Sequence, residues 1–183
     1  TTMKCTIFEE NGWTHNMQRA LGHATLQNAV RRMGDFVLTS CAANALQPYK
    51  QNDNGWDQGQ IFFTPTQVWG MPPYYAQQMA SENHLPLLVS SSVEGAELDI
   101  TATRSEDGSK LALHIVNVGK NSVRTKFDIT EFGSIASAHT ITLTAPLTEA
   151  NTPENPTKIS PQRSNLEVSD NLTCDIPEYS YTI

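Results

Sequence analysis

Glu9 and Glu10 stand side by side behind the short apolar run Ile7-Phe8, and Asn11-Gly12 follows at once. Two carboxylates are the working tools of glycoside hydrolysis. A retaining enzyme holds them roughly 5–5.5 Å apart, and an inverting one about 6.5–9.5 Å apart with a water between. Neighbours on a strand point to opposite faces. Glu9 and Glu10 therefore cannot serve as each other's partner, and a second carboxylate has to come from another strand. The plain alternative is a pair of solvated glutamates at a strand end. Further residues of useful type lie close in sequence. Trp13 and His15 share the loop after Glu10, Asn44 follows the next apolar run, and Trp56 sits in a polar loop where its ring face would suit sugar C–H groups. His23 falls inside a helical stretch and reads as a packed or surface histidine. Asp53 and Asp57 read as loop formers, because the oxygen spacing for calcium is incomplete. Cys5, Cys41 and Cys174 match no zinc or redox spacing, and no metal site is expected. Cys5 and Cys41 are expected to pack in buried strands.

The elements that must position these groups fall into two regions. Over residues 1–84, "MKCTIFEE" reads as a strand and "HNMQRALGHATLQNAVRRM" as a helix stopped by Gly34. "DFVLTSCAANAL" reads as a buried strand, "QNDNGWDQG" as a loop and "QIFF" as a short strand. "MPPYYAQQMASEN" reads as a helix opened by Pro72-Pro73. Strand, helix, strand with continuous apolar runs predicts a parallel sheet with helices packed on it. In parallel barrels catalytic groups sit at the C-terminal strand ends, and Glu10 occupies such an end. At about 100° per residue, Met17, Ala20, Leu21 and Ala24 share one side of the first helix; Leu26, Ala29, Val30 and Met33 share the other. That helix is expected to be covered from two directions.

Over residues 85–183 the pattern changes to short strands. "ELDITATRS" and "KLALHIVNVG" flank the turn signal "EDG". "VRTKFDIT" alternates Val123, Thr125, Phe127 and Ile129 against Arg124, Lys126 and Asp128. "HTITLTA" repeats the alternation and "EYSYTI" closes the chain. Alternating strands at regular spacing predict an antiparallel β-sandwich. The fold class expected is thus α+β: a partial (β/α) barrel segment over 1–84, then a β-sandwich over 85–183.

The 183 residues carry 12 Lys+Arg against 19 Asp+Glu, a net charge of -7, with no basic run that would track nucleic acid. No apolar stretch approaches membrane-spanning length. Neither nucleic acid nor a membrane is an expected partner. Thr1-Thr2-Met3-Lys4 runs straight into a strand, which suggests the C-terminal part of a longer protein. "NLT" at 171–173 matches a glycosylation sequon.

Taken in order, "IFEEN", "DFVLTSCAANAL", "NGWDQGQIFFTPTQVWGMPPYYAQQMAS" and "LDITATRSEDGSKLALHIVN" form a recognisable series. The series resembles the C-terminal portion of glycoside hydrolase family 51, the α-L-arabinofuranosidases, over nearly the whole chain. The family carries its nucleophile in a Phe-Asp-Glu-Trp or Thr-Glu-Tyr motif. "IFEEN" fills that place, so the resemblance puts the nucleophile on Glu10, with Glu9 at a variable position and as the alternative. Asn44 falls where relatives often carry a polar amide near the substrate, and Asn117 in the usual Val-Asn. Asn11 departs from the family's Tyr or Trp after the nucleophile, which leaves the substrate range open. The family's general acid/base lies on a strand that this chain does not hold.

The resemblance implies a retaining exo-glycosidase that removes terminal α-L-arabinofuranosyl residues from plant polysaccharides. Glu10 would be catalytic, and Asn44, Trp13, Trp56 and His15 would contact the sugar. No cofactor is implied. The partner would be an arabinose-containing polysaccharide or oligosaccharide, with a homo-oligomeric parent in an extracellular or periplasmic setting, and the piece alone would be inactive. Two alternatives remain: the same family acting on a β-glucan or xyloside, and a carbohydrate-binding or structural sandwich. The latter needs a row of exposed aromatics, for which 85–183 offers only Phe127, Phe132, Tyr179 and Tyr181.

Overall fold

The computed structural model of the chain describes residues 3–12, 14–51, 57–169 and 172–183. It begins with strand β1 (Cys5–Glu10), helix α1 (Met17–Arg32) and strand β2 (Val37–Ala42). β1 and β2 pair in parallel. A parallel pair cannot be closed by a tight turn, and the helix supplies the crossover. Asn16 starts the helix, its side chain accepting from the Arg19 backbone N–H at 3.3 Å. Gly34 follows its end with φ +58, a left-handed conformation that glycine adopts without a Cβ penalty. The β1–β2 register is irregular between Ile7 and Glu10: Ile7 pairs with Ser40 and Glu10 with Ala42, so β1 spends one residue more than β2.

Three short strands follow, β3 (Leu46–Pro48), β4 (Ile61–Phe63) and β5 (Val68–Gly70), forming one sheet in that order. Of these the sequence pattern reveals only β4, because a three-residue strand offers too little length for an alternation. Helix α2 (Pro72–Glu82) comes next, with Pro72-Pro73 in its first turn as expected.

The rest of the chain is β: β6 (Leu87–Val89), β7 (Asp99–Arg104), β8 (Leu111–Asn117), β9 (Val123–Lys126), β10 (Ala138–Thr144), β11 (Gln162–Leu166), β12 (Thr173–Ile176) and β13 (Ser180–Thr182). Among the described residues six of them form one sheet in the order β11-β10-β13-β8-β7-β6, and β9 pairs with β12 separately. All these pairings are antiparallel. The β7–β8 hairpin turns as expected, with Gly108 at φ +70 and the Asp107 carboxylate taking the Ser109 N–H at 3.0 Å.

The main core lies between the helices and the six-stranded sheet. Met17, Ala20, Leu21 and Ala24 of α1 meet Ala76 and Met79 of α2 and the sheet residues Val116, Leu143 and Tyr181. Register aligns Val116, Tyr181 and Leu143 across three neighbouring strands, so they form one row on one face. Polar bonds fasten the same contact. Asn28 donates to the His114 carbonyl at 3.1 Å and to Asp99 Oδ2 at 3.1 Å, and Arg32 reaches Asp99 Oδ1 at 2.7 Å. No helix among the described residues is long and apolar enough to cross a membrane.

Two burial expectations need correction. The second side of α1 is only partly covered: Leu26, Ala29 and Val30 are half-buried and Met33 is exposed. Cys5 is half-buried and Cys41 exposed, so the strands that read as buried are not. Phe8 is 83% and Leu38 65% exposed. For the strand residues the cause is that β1 and β2 form a two-stranded sheet, and among the described residues no further strand joins it.

Candidate functional site

Glu10 closes β1, and its side chain is only 1% exposed. That differs from a carboxylate standing open at the mouth of a cleft. Its Oε2 lies 3.0 Å from His23 Nδ1, one and a half turns into α1. His23 Nε2 in turn lies 2.9 Å from Arg19 Nε. A guanidinium N–H can only donate, so His23 Nε2 accepts and the imidazole proton sits on Nδ1, facing the carboxylate. The Arg19 guanidinium also donates to the carbonyls of Thr14, Ala43 and Gln58. Burial lowers the Arg19 pKa to about 10 and the Glu10 charge acts the other way, so the group stays cationic near neutrality. Glu10 Oε1 is buried with no hydrogen-bond partner among the described residues.

The backbone is stitched around this chain of bonds. Ala43 N–H donates to the Glu10 carbonyl at 3.1 Å, joining the ends of β1 and β2. Gly12 N–H donates to Gln58 Oε1 at 3.0 Å, and Gln58 Nε2 to Asn11 Oδ1 at 3.3 Å. Gly12 is required here by close approach. A Cβ on it would come within 2.6 Å of Arg19 Nε.

Glu9 takes the other direction. It is exposed, as is Phe8, while Glu10 faces α1. Glu10 is thus the member of the pair turned to the helix, and Glu9 the one left open to solvent.

The other residues singled out from sequence scatter around this centre. His15 is half-buried, with Nδ1 3.4 Å from Asp57 Oδ1 and its ring 4.8 Å from that of Phe62. Phe62 and Tyr49 both pack on Trp69, at 6.1 and 5.4 Å between ring centroids. His15, Tyr49, Asp57, Phe62, Trp69 and Asn151 help to line a cleft of about 270 Å³. Glu10 does not border it. Asn44 is half-buried in the turn after β2, one residue beyond Ala43, and its carbonyl accepts from Gln60 N–H at 3.0 Å. Trp13, Trp56 and Asp53, together with Asn171 of the sequon, lie outside the described residues. On the sheet, Tyr181 is fully buried with its hydroxyl 2.8 Å from His114 Nδ1, which removes it from any exposed aromatic row.

Sequence reasoning missed Arg19 and read His23 as a packed or surface histidine. A usable signal was present: the two stand four residues apart, hence on one helix face, in the helix directly after Glu10.

A sheet covered by two helices, joined to a parallel strand–helix–strand unit with an acidic pair at a strand end, defines the class as a β-rich domain with a short α/β unit at its start. Residues 9–180 match the family model described as the α-L-arabinofuranosidase C-terminal domain, and the chain belongs to that family. It is 25% identical over 175 residues to α-L-arabinofuranosidase 2 of Arabidopsis thaliana, covering 91% of this chain and 26% of that one. α-L-Arabinofuranosidase 1 of the same plant is 23% identical over 179 residues, with 92% and 26% covered. The chain thus spans about a quarter of the length of these curated relatives. Among solved structures, the arabinose-bound MgGH51 α-L-arabinofuranosidase superposes with a TM-score of 0.82 at 24% identity, covering 93% of this chain and 27% of that one. The thermostable GH51 α-L-arabinofuranosidase of Thermotoga petrophila RKU-1 gives 0.81 at 21% identity, covering 98% and 42%. At these identities the structural likeness establishes the shared fold.

Proposed function

We propose that the chain is the C-terminal part of a retaining α-L-arabinofuranosidase acting on terminal arabinofuranosyl residues of plant polysaccharides. In this reading β1, α1 and β2 are the closing units of a (β/α) barrel, and the strands from β6 onward are the sandwich that follows it. The open face of β1–β2 supports the barrel segment. Large exposed apolar side chains in a cluster mark a surface that something else covers, and Phe8 and Leu38 are such side chains. In a (β/α) barrel the helix lies outside each strand and the opposite strand face lines the interior.

The observation that carries the catalytic assignment is the division of the acidic pair. Glu10 is bonded to His23 on the helix, hence on the outer side of β1, whereas Glu9 is exposed and free of the helix. The family resemblance alone favoured Glu10. The geometry favours Glu9, the residue offered as the alternative, as the carboxylate that reaches a sugar inside the barrel. A Glu9 oxygen attacks the anomeric carbon, the bond from that carbon to the leaving oxygen breaks, and an acid outside these 183 residues protonates the leaving group. Water then attacks the covalent glycosyl-enzyme, releasing arabinose and the free carboxylate. Asn44 and His15 are sugar contacts in this scheme, His15 as part of the cleft lining. Because the acid/base is not in this chain, the chain by itself does not turn over substrate.

The test uses the full-length parent with an activated arabinofuranoside and azide. Glu9→Ala loses activity, azide restores it, and the product is a glycosyl azide of inverted anomeric configuration. Rescue of Glu10→Ala with none of Glu9→Ala would return the role to Glu10. An absence of any azide product from both variants would remove the retaining mechanism.

A further inference from the structure

Glu10, His23 and Arg19 are all buried polar side chains that the chemistry above does not use. Replacing buried ion pairs by apolar side chains of similar volume is often neutral or stabilising, so stability alone gives no reason for this trio. Its geometry does. The trio runs from the last residue of β1 through His23 to a guanidinium that grips three separate carbonyls: Thr14 in the loop after β1, Ala43 beyond β2, and Gln58 before β4. The imidazole tautomer is fixed by the arginine, which makes His23 Nδ1 the donor to Glu10. Glu10 Oε1 has no partner among the described residues, and among them His23 supplies the one side-chain bond that holds this carboxylate. The register irregularity between Ile7 and Glu10 adds a residue at this point. Such an irregularity re-aims the side chains at a strand end, and here it needs an anchor on one side.

We infer that the Glu10–His23–Arg19 chain of bonds is a positioning device that holds the end of β1 so that Glu9 is aimed at the anomeric carbon. Glu10 is then a positioning residue rather than a catalytic one. The inference rests on the reading of Glu9 as the nucleophile.

The full-length parent tests it. Glu9→Ala with azide first checks the nucleophile itself, through the glycosyl azide product. His23→Leu leaves Glu10 without its donor. Misplacement of a reacting group by about 1 Å can cost on the order of 10²-fold in rate. We expect kcat to fall by about that factor with KM within about two-fold, and azide to give no rescue. His23→Gln keeps a donor for Glu10 and an acceptor for Arg19, and recovers most of the lost kcat. A His23→Leu enzyme with wild-type kcat overturns the inference. So does a His23→Gln enzyme as slow as His23→Leu while both show the parent's thermal midpoint, since the hydrogen bonds would then not matter. Should His23→Leu fail to fold, the Gln variant with Glu10→Gln decides: the inference requires a kcat loss in Glu10→Gln that azide does not repair. Azide rescue of Glu10→Ala, by contrast, sinks the nucleophile reading and the inference together, and does so through a different product measurement.

Discussion

His114 lies on β8 beneath the helices and is fully buried, with Nδ1 2.8 Å from the Tyr181 hydroxyl and Nε2 without a partner among the described residues. Burial, assisted by the positive charges of Arg31 and His84, pushes its pKa down to about 3 from an ordinary 6.5. The unfolded chain takes up a proton at this residue as pH drops through 6.5, and the folded chain does not until near 3. The unfolded state therefore binds more protons in that window, and stability falls as pH falls. Each unit of the gap is worth about 1.4 kcal/mol, so His114 alone should cost the fold roughly 2 kcal/mol between pH 6.5 and pH 5. Replacing it by Leu removes the titration and leaves the Tyr181 hydroxyl unpaired, a pH-independent loss of about 1–3 kcal/mol. Urea unfolding of both chains at pH 7, 6, 5 and 4 should give stability curves that converge toward acid, because the carboxylate contributions are common to the two. Curves that stay parallel from pH 7 to pH 4 would show that His114 is not held neutral by this core, and that the helix–sheet contact is looser than described.

Two further outcomes follow from the packing. Leu143 is fully buried between the sheet and the helices, so Leu143→Ala should cost about 2–5 kcal/mol, read as a lower urea midpoint with an unchanged slope. Gly34 has φ +58 and open space where a Cβ would go, so Gly34→Ala should cost only the left-handed strain, about 1–2 kcal/mol, and Gly34→Asn less, by the same measurement.

Much of the architecture was legible from local pattern. Gly34 stops α1, Pro72-Pro73 opens α2, and Gly108 turns the β7–β8 hairpin, because capping and turn chemistry act within a few residues. β11 was missed for the same reason in reverse. "QRSNL" has no apolar alternation and becomes a strand only because β10 offers it a partner. Phe127 and Ile129 continue the alternation of β9 beyond its end at Lys126, with the Phe127 N–H still bonded to the Leu172 carbonyl at 2.9 Å.

The acidic pair shows where local reasoning stops. By itself the sequence determined that Glu9 and Glu10 point to opposite faces at the end of a strand that precedes a helix, since backbone geometry alternates side chains whatever lies around them. Only the tertiary structure decided that Glu10 is the one turned to the helix. That choice depends on the register irregularity between Ile7 and Glu10, and on His23 and Arg19 arriving over the strand end from thirteen and nine residues away. The exposure of Phe8 and Leu38 was equally beyond local pattern, because it follows from β1 and β2 pairing only with each other among the described residues. Periodicity tells which side chains share a side, but burial is set by what packs against that side, and that partner is not written in the neighbouring residues.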